Sequence, residues 1–167
     1  MRVLSGSEVG ASQSFQPIVI TEREANSYLK YHGQEFLPPG VHDPAIRITP
    51  DRVFGAAVVD FNEFSRAYRN PRDWGPRVLA AIFKGRQRVT AAGKLETQNG
   101  QAKVKIENVT VGSTSMPDWL VDFVVENYLQ PRYKFDLSKP LPLPDHVTHI
   151  ELGAGQATFF RSLSKTP

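Results

Sequence analysis

The stretch Arg86–Val111, RQRVTAAGKLETQNGQAKVKIENVTV, decides the fold, because its side chains alternate with period two on both sides of an Asn99-Gly100 pair. On the first arm Val89, Ala91, Gly93 and Leu95 alternate with Arg88, Thr90 and Lys94. Asn-Gly suits a type I′ turn, whose two central residues both need positive φ, so a long β-hairpin is expected. On the return arm Ala102, Val104 and Ile106 occupy even positions, whereas Val109 and Val111 occupy odd ones. A slip of one residue moves side chains to the other face, so the change of phase at Glu107-Asn108 predicts a β-bulge and a bent strand.

Helical stretches flank the hairpin. Downstream, Met116-Pro117-Asp118 reads as a proline-initiated, acidic first turn, and the helix should run to Gln130, with Pro131 halting it. Trp119, Leu120, Val121, Phe123, Val124, Val125, Tyr128 and Leu129 leave only Asp118, Asp122 and Glu126 as a polar stripe, with Asn127 and Gln130 beside it. A helix apolar around most of its circumference must be covered on more than one side. Upstream, Pro76–Phe83 reads as a short amphipathic helix with Val78, Leu79, Ile82 and Phe83 as its apolar set.

Nearer the start, Phe15–Ile20 suits a strand, and Thr21-Glu22-Arg23-Glu24 is a capping box opening a helix over about Glu22–His32, with Gly33 near its end. Pro38-Pro39-Gly40 forces a turn, and His42-Asp43-Pro44 reads as another. A hairpin follows over Ala45–Phe61, bending at Pro50-Asp51. The alternate prolines of Ser138–Pro144 predict an extended strap. A last hairpin should pair Val147–Leu152 with Gln156–Arg161 across Gly153-Ala154-Gly155.

A length of 167 residues suits one domain. The Ser-, Gly- and Gln-rich residues 1–14 read as a flexible tether, 15–163 as a single α+β domain and 164–167 as a disordered tail. With 40% hydrophobic and 22% charged residues, the composition excludes wholesale disorder and a membrane bundle. The absence of cysteine excludes disulfides, thiolate metal sites and cysteine nucleophiles. No window is long and apolar enough to span a bilayer, and Met1–Ser14 lacks the apolar stretch of a secretory signal. Compartment stays open, since a reducing cytosol and a bacterial envelope both accommodate a cysteine-free chain.

Motifs for catalysis are missing. His146 and His149 fall on opposite faces of a strand and could not share a metal. Gly153-Ala154-Gly155 has neither the third glycine nor the helix of a dinucleotide fingerprint. The sequence has no phosphate loop, nucleophile elbow or His-Glu-x-x-His. Neither a cofactor nor a metal is called for, and an enzyme ranks last among the readings. Residues 66–94 are strongly basic, with Arg66, Arg69, Arg72, Arg77, Lys84, Arg86, Arg88 and Lys94 against Asp73 alone. Tyr68 and Trp74 interleave with them, which suits nucleic acid or anionic headgroups; a solvated face in a chain of net charge +3 accounts for the same residues. Nucleic acid ranks third.

Two segments, Ile18–Leu29 (IVITEREANSYL) and Val109–Leu120 (VTVGSTSMPDWL), together resemble small bacterial members of the tubular lipid-binding (TULIP-like) superfamily, envelope proteins of uncharacterised function. The resemblance covers the element order over about Phe15–Phe160. It implies an α+β fold in which a strongly curved antiparallel sheet of hairpins wraps around one long apolar helix, with one or two further short helices. Between them an apolar groove would receive acyl chains. Leu120, Val124 and Tyr128 would pack on the sheet while Trp119 and Phe123 line the groove. Leu79, Ile82 and Phe83 of the short helix complete the expected ligand-binding set, with Arg86 and Arg88 available to a charged headgroup. The small strand residues Gly55, Ala57, Ala91, Ala92 and Gly93 equally permit tight helix docking with no cavity.

Two readings follow. In the first the chain is a non-catalytic carrier or sensor of a lipid or other hydrophobic small molecule, exported or envelope-associated, with peripheral membrane contact. In the second it is an envelope-associated interaction or scaffold domain with a packed core. Exposed aromatics at a groove mouth would also serve homodimerisation. A cavity long enough for an alkyl chain separates the two.

Overall fold

A computed structural model describes residues 16–67, 78, 81–134, 136–144 and 146–162. The fold is α+β, built on a strongly curled antiparallel sheet shaped as a half-barrel. Its elements in chain order are β1 (Ile18–Thr21), α1 (Glu22–Phe36), β2 (Val41–Ile48), β3 (Val53–Asp60), α2 (Phe61–Ala67), β4 (Arg86–Gln98), β5 (Gln101–Val111) and β6 (Thr114–Ser115). Then come α3 (Asp118–Val124), a π-helical turn (Val125–Leu129), α4 (Gln130–Tyr133), β7 (Leu141–Pro142), β8 (Val147–Gly153) and β9 (Gln156–Arg161).

The large sheet runs β2-β3-β4-β5-β6, with β7 of the proline strap pairing Gln101 and Ala102 at the far end of β5. The central hairpin turns at Asn99 (φ 51°) and Gly100 (φ 74°), as the type I′ reading requires. Its register shifts between Thr90 and Ala92, opposite Glu107 and Thr110, with Asn108 at φ 50°. The phase slip in the sequence is therefore a bulge that bends the sheet. The small sheet runs β1-β9-β8 and is tied to the large one by backbone and side-chain bonds. Gly155 N–H donates to the Ile48 carbonyl (2.9 Å), Gly100 N–H to the Thr148 carbonyl (2.8 Å), and the Thr97 hydroxyl exchanges bonds with Ile150.

The capping box holds: Thr21 Oγ1 accepts from the Glu24 amide (3.2 Å) and Glu24 Oε2 accepts from the Thr21 amide (2.8 Å). The helix it opens runs past Gly33 to Phe36. Gly33 is not a cap but a contact, where an added Cβ would lie 3.1 Å from Leu37 Cδ1 and 3.5 Å from Pro44 Cγ. Leu37 ends the helix, because a residue before proline is pushed to extended geometry.

Three further expectations are corrected. The hairpin expected from Ala45 begins at Val41, and His42-Asp43-Pro44 is a bulge inside β2 (Asp43 φ 47°) rather than a turn. An edge strand tolerates a proline there, since no neighbour needs its missing N–H. Phe61 ends no strand; it starts α2, whose first amides are capped by Asp60 Oδ1, accepting from Asn62 and Glu63 at 3.0 Å each. The helical run from Asp118 is not halted by Pro131 but passes through it to Tyr133; at 16 residues, broken by a π turn, it does not form the one long apolar helix that the resemblance implies. The π turn makes the passage: Gln130 N–H bonds to the Val125 carbonyl five residues back, widening the helix just where the proline ring would crowd the preceding turn. The expected Pro76–Phe83 helix lies largely outside the described residues; Val78, Ala81 and Ile82 are helical and Phe83 is in a bend.

Candidate ligand cavity

The curled sheet, α2 and the α3–α4 run meet around Phe61, Phe64 and Val111, each 5–6% exposed. Val59, Val89, Phe83, Met116 and Val124 pack against this cluster. Against it opens a cavity of about 260 Å³, accessible from solvent on one side, whose lining residues are all apolar. Strands β2 to β5 contribute Val41, Val59, Val89, Ala91 and Val109; α2 contributes Phe61 and Phe64. The helical run closes it with Val121, Val124, Val125 and Leu129, and Pro38 lies at its wall beyond α1. Core and cavity wall are thus largely the same residues. Among the described residues no large side chain is fully buried.

The volume sets what fits. It exceeds the ~150 Å³ cavity that admits benzene and sits just below the roughly 300–1,000 Å³ of drug-sized sites.

A second, larger groove of about 600 Å³ lies on the other flank of the helical run and shares Ile106, Val121 and Val125 with the first. Asp118, Asp122 and Glu126 line it, facing Lys105, Glu107 and Asn108 of β5. Glu107 is engaged by Arg52 Nε (3.6 Å) and Lys105 Nζ (3.9 Å). Among the described residues no group of three His, Asp or Glu side chains could hold a metal ion.

The residues expected to bind ligand are divided by the fold. Val124 and Phe83 line the apolar cavity. Leu120 is buried at 4% exposure but does not line it, and Phe123 is half-buried. Trp119 points outward at 67% exposure, as does Ile82 at 53%. Leu79 and the side chain of Tyr128 lie outside the described residues. Arg86 Nε approaches Asp60 Oδ2 at 3.5 Å, and Arg88 is exposed on the same strand. His149 stacks on Phe160 at 4.3 Å, a packing role.

Phe61, Phe64 and the inward valines of β3 to β5 are absent from the ligand-binding set expected from sequence, although Val89, Val109 and Val111 are read there as strand residues. The signal available for the first two was Asp60-Phe61-Asn62-Glu63, an Asp cap followed by an acidic first turn. Asp60 itself is held below the ordinary carboxylate range, chiefly by the Glu63 amide and then by Arg86 and the Asn62 amide, against partial burial.

No family model matches the chain, and neither does any curated protein sequence.

Proposed function

We propose that this protein binds a hydrophobic ligand without catalysis, holding a lipid acyl chain in the apolar cavity between the curled sheet and the helical run Asp118–Tyr133. One observation carries the reading: a cavity of about 260 Å³ with only apolar lining residues, open to solvent on one side and walled by the core cluster. Burial of each methylene there is worth about 0.8 kcal/mol, so a chain of eight carbons gains roughly 6 kcal/mol before ordering costs. The resemblance of Ile18–Leu29 and Val109–Leu120 to tubular lipid-binding proteins points the same way, with the sheet wrapping the helix as a groove. In this arrangement Val124, Val125 and Leu129 contact the chain from the helix, and Phe61, Phe64 and Phe83 from the opposite wall. Arg86 and Arg88 alternate along β4 with Val89 and Ala91, which line the cavity, so both arginines stand on the opposite face of the strand, and Arg86 pairs with Asp60; the headgroup role expected of them is not supported by this geometry.

The test is a titration of delipidated protein with decanoate, followed by calorimetry and by tryptophan-independent NMR shifts of the valine methyls. Saturable binding that shifts Val89, Val111 and Val124 methyls, and is lost in Val124→Phe, supports the reading. Absence of any saturable shift contradicts it and favours the interaction-domain reading.

A further inference from the structure

Gly55 stands inside β3, where a glycine costs stability because it has no side chain to pack and loses the most freedom on ordering. Glycines are found inside strands at bulges, at positions of positive φ, where another backbone comes close, at tight bends, and where a ligand approaches. The first three do not apply here. Pairing of β3 with β4 runs without a shift from Val53 to Asp60, and its pairing with β2 shifts only between His42 and Ala45. Gly55 is not among the glycines with positive φ. A Cβ built on it would have no atom of the described residues within 4 Å, its chain neighbours apart. Gly93 differs, since a Cβ there would rest on the Val53 carbonyl at 3.7 Å.

The open space lies beside the apolar cavity. Residues directly opposite one another in a ladder present their side chains to the same face, and Gly55 is opposite Ala91 while Ala57 is opposite Val89. Ala91 and Val89 both line the cavity, as does Val59 farther along β3. The period of two puts Gly55, Ala57 and Val59 on one face of the strand. A side chain at Gly55 would therefore start about 5 Å from the Cβ of a cavity-wall residue. On the other flank its partner is Ile46 of β2, so the surroundings stay apolar on both sides. Gly55 is itself half-buried, which places the space within the curl of the sheet.

We propose that an acyl chain seated in the cavity runs on over Ala91 to Gly55, and that the bare glycine sets the length of acyl chain the protein accepts. This rests on the ligand reading above and adds the residue that determines its specificity. The test is calorimetric titration of delipidated protein with hexanoate, octanoate, decanoate and dodecanoate. Each methylene taken into the site is worth about fourfold in affinity. In Gly55→Leu hexanoate should bind as it does to the wild type, while dodecanoate should bind at least about tenfold more weakly, the worth of about two methylenes. Ala56→Leu, on the opposite face of the same strand, should leave the length profile unchanged. Without ligand, Gly55→Ala should raise the urea midpoint, because the new methyl enters open space and the unfolded chain loses freedom. If no alkanoate binds the wild type, the ligand reading fails and this proposal with it. If they bind but Gly55→Leu keeps the wild-type profile, or weakens hexanoate as much as dodecanoate, this proposal alone is overturned. A lower midpoint in Gly55→Ala overturns it too, since the glycine would then serve the bend of the sheet.

Discussion

The side-chain amide of Asn26 pairs with both backbone groups of Ile46, its Oδ1 accepting the Ile46 N–H at 2.7 Å and its Nδ2 donating to the Ile46 carbonyl at 2.8 Å. Strand β2 is the edge of the large sheet, and Asn26 gives it the pairing that a neighbouring strand would. Replacement by alanine leaves two half-buried backbone groups to weak hydration. Asn26→Ala should cost about 1–2 kcal/mol in urea denaturation with an unchanged slope. A loss below about 0.3 kcal/mol would mean the helix is held on the edge by packing alone.

Gly40 is confined both by conformation and by space. Its φ is +89°, and a Cβ there would meet the Asp60 carbonyl at 2.7 Å and the Phe64 amide nitrogen at 3.0 Å, both backbone atoms. Gly40→Ala should therefore destabilise by more than about 2 kcal/mol, lowering Tm by several degrees. Gly85→Ala, which also has positive φ but open space around it, should cost less.

Acid should act through three carboxylates held below their ordinary values. Glu24 is lowered by the Thr21 amide and hydroxyl, Asp60 chiefly by the Glu63 amide, and Asp136 by the Ser138 hydroxyl and amide. A depressed folded pKa means the unfolded chain binds protons first as pH falls, so this stability is present above the ordinary values of 4.5 and 3.8 and is lost below them. Stability should be flat from pH 7 to about 5 and decline from about 4.5 downward. In Asp60→Asn the decline should be shallower and the neutral-pH stability lower, measured as chemical denaturation midpoints across pH.

Much of this fold was legible because its signals are local. Asn99-Gly100 specifies its turn through φ alone, Thr21 and Glu24 cap one another across three residues, and the bulge at Asn108 shows as a change of parity. What was not legible depends on context. Phe61 continues the alternation of β3, so only the capping geometry of Asp60 reveals a helix. Pro131 reads as a stop unless the π turn before it is seen. A helix apolar on most sides does not declare its rotation, which is why Trp119 was expected inside and lies outside while Val121 and Val125 face inward. The cavity wall was the least legible part, since its strand residues converge only through the curl of the sheet.

Empty space and a packed core respond oppositely to a larger side chain. Val124→Phe should be tolerated within about 1 kcal/mol if its ring enters the cavity, whereas overpacking a filled core costs roughly 1–3 kcal/mol. Thermal unfolding of the delipidated variant decides between them.

The most direct test of ligand binding is native mass spectrometry of the protein as purified from cells, followed by solvent extraction and lipid analysis. The account predicts a mass increment corresponding to one single-chain amphiphile, recovered in stoichiometric amount and absent from Val124→Phe. A clean apo mass that decanoate does not change would contradict it.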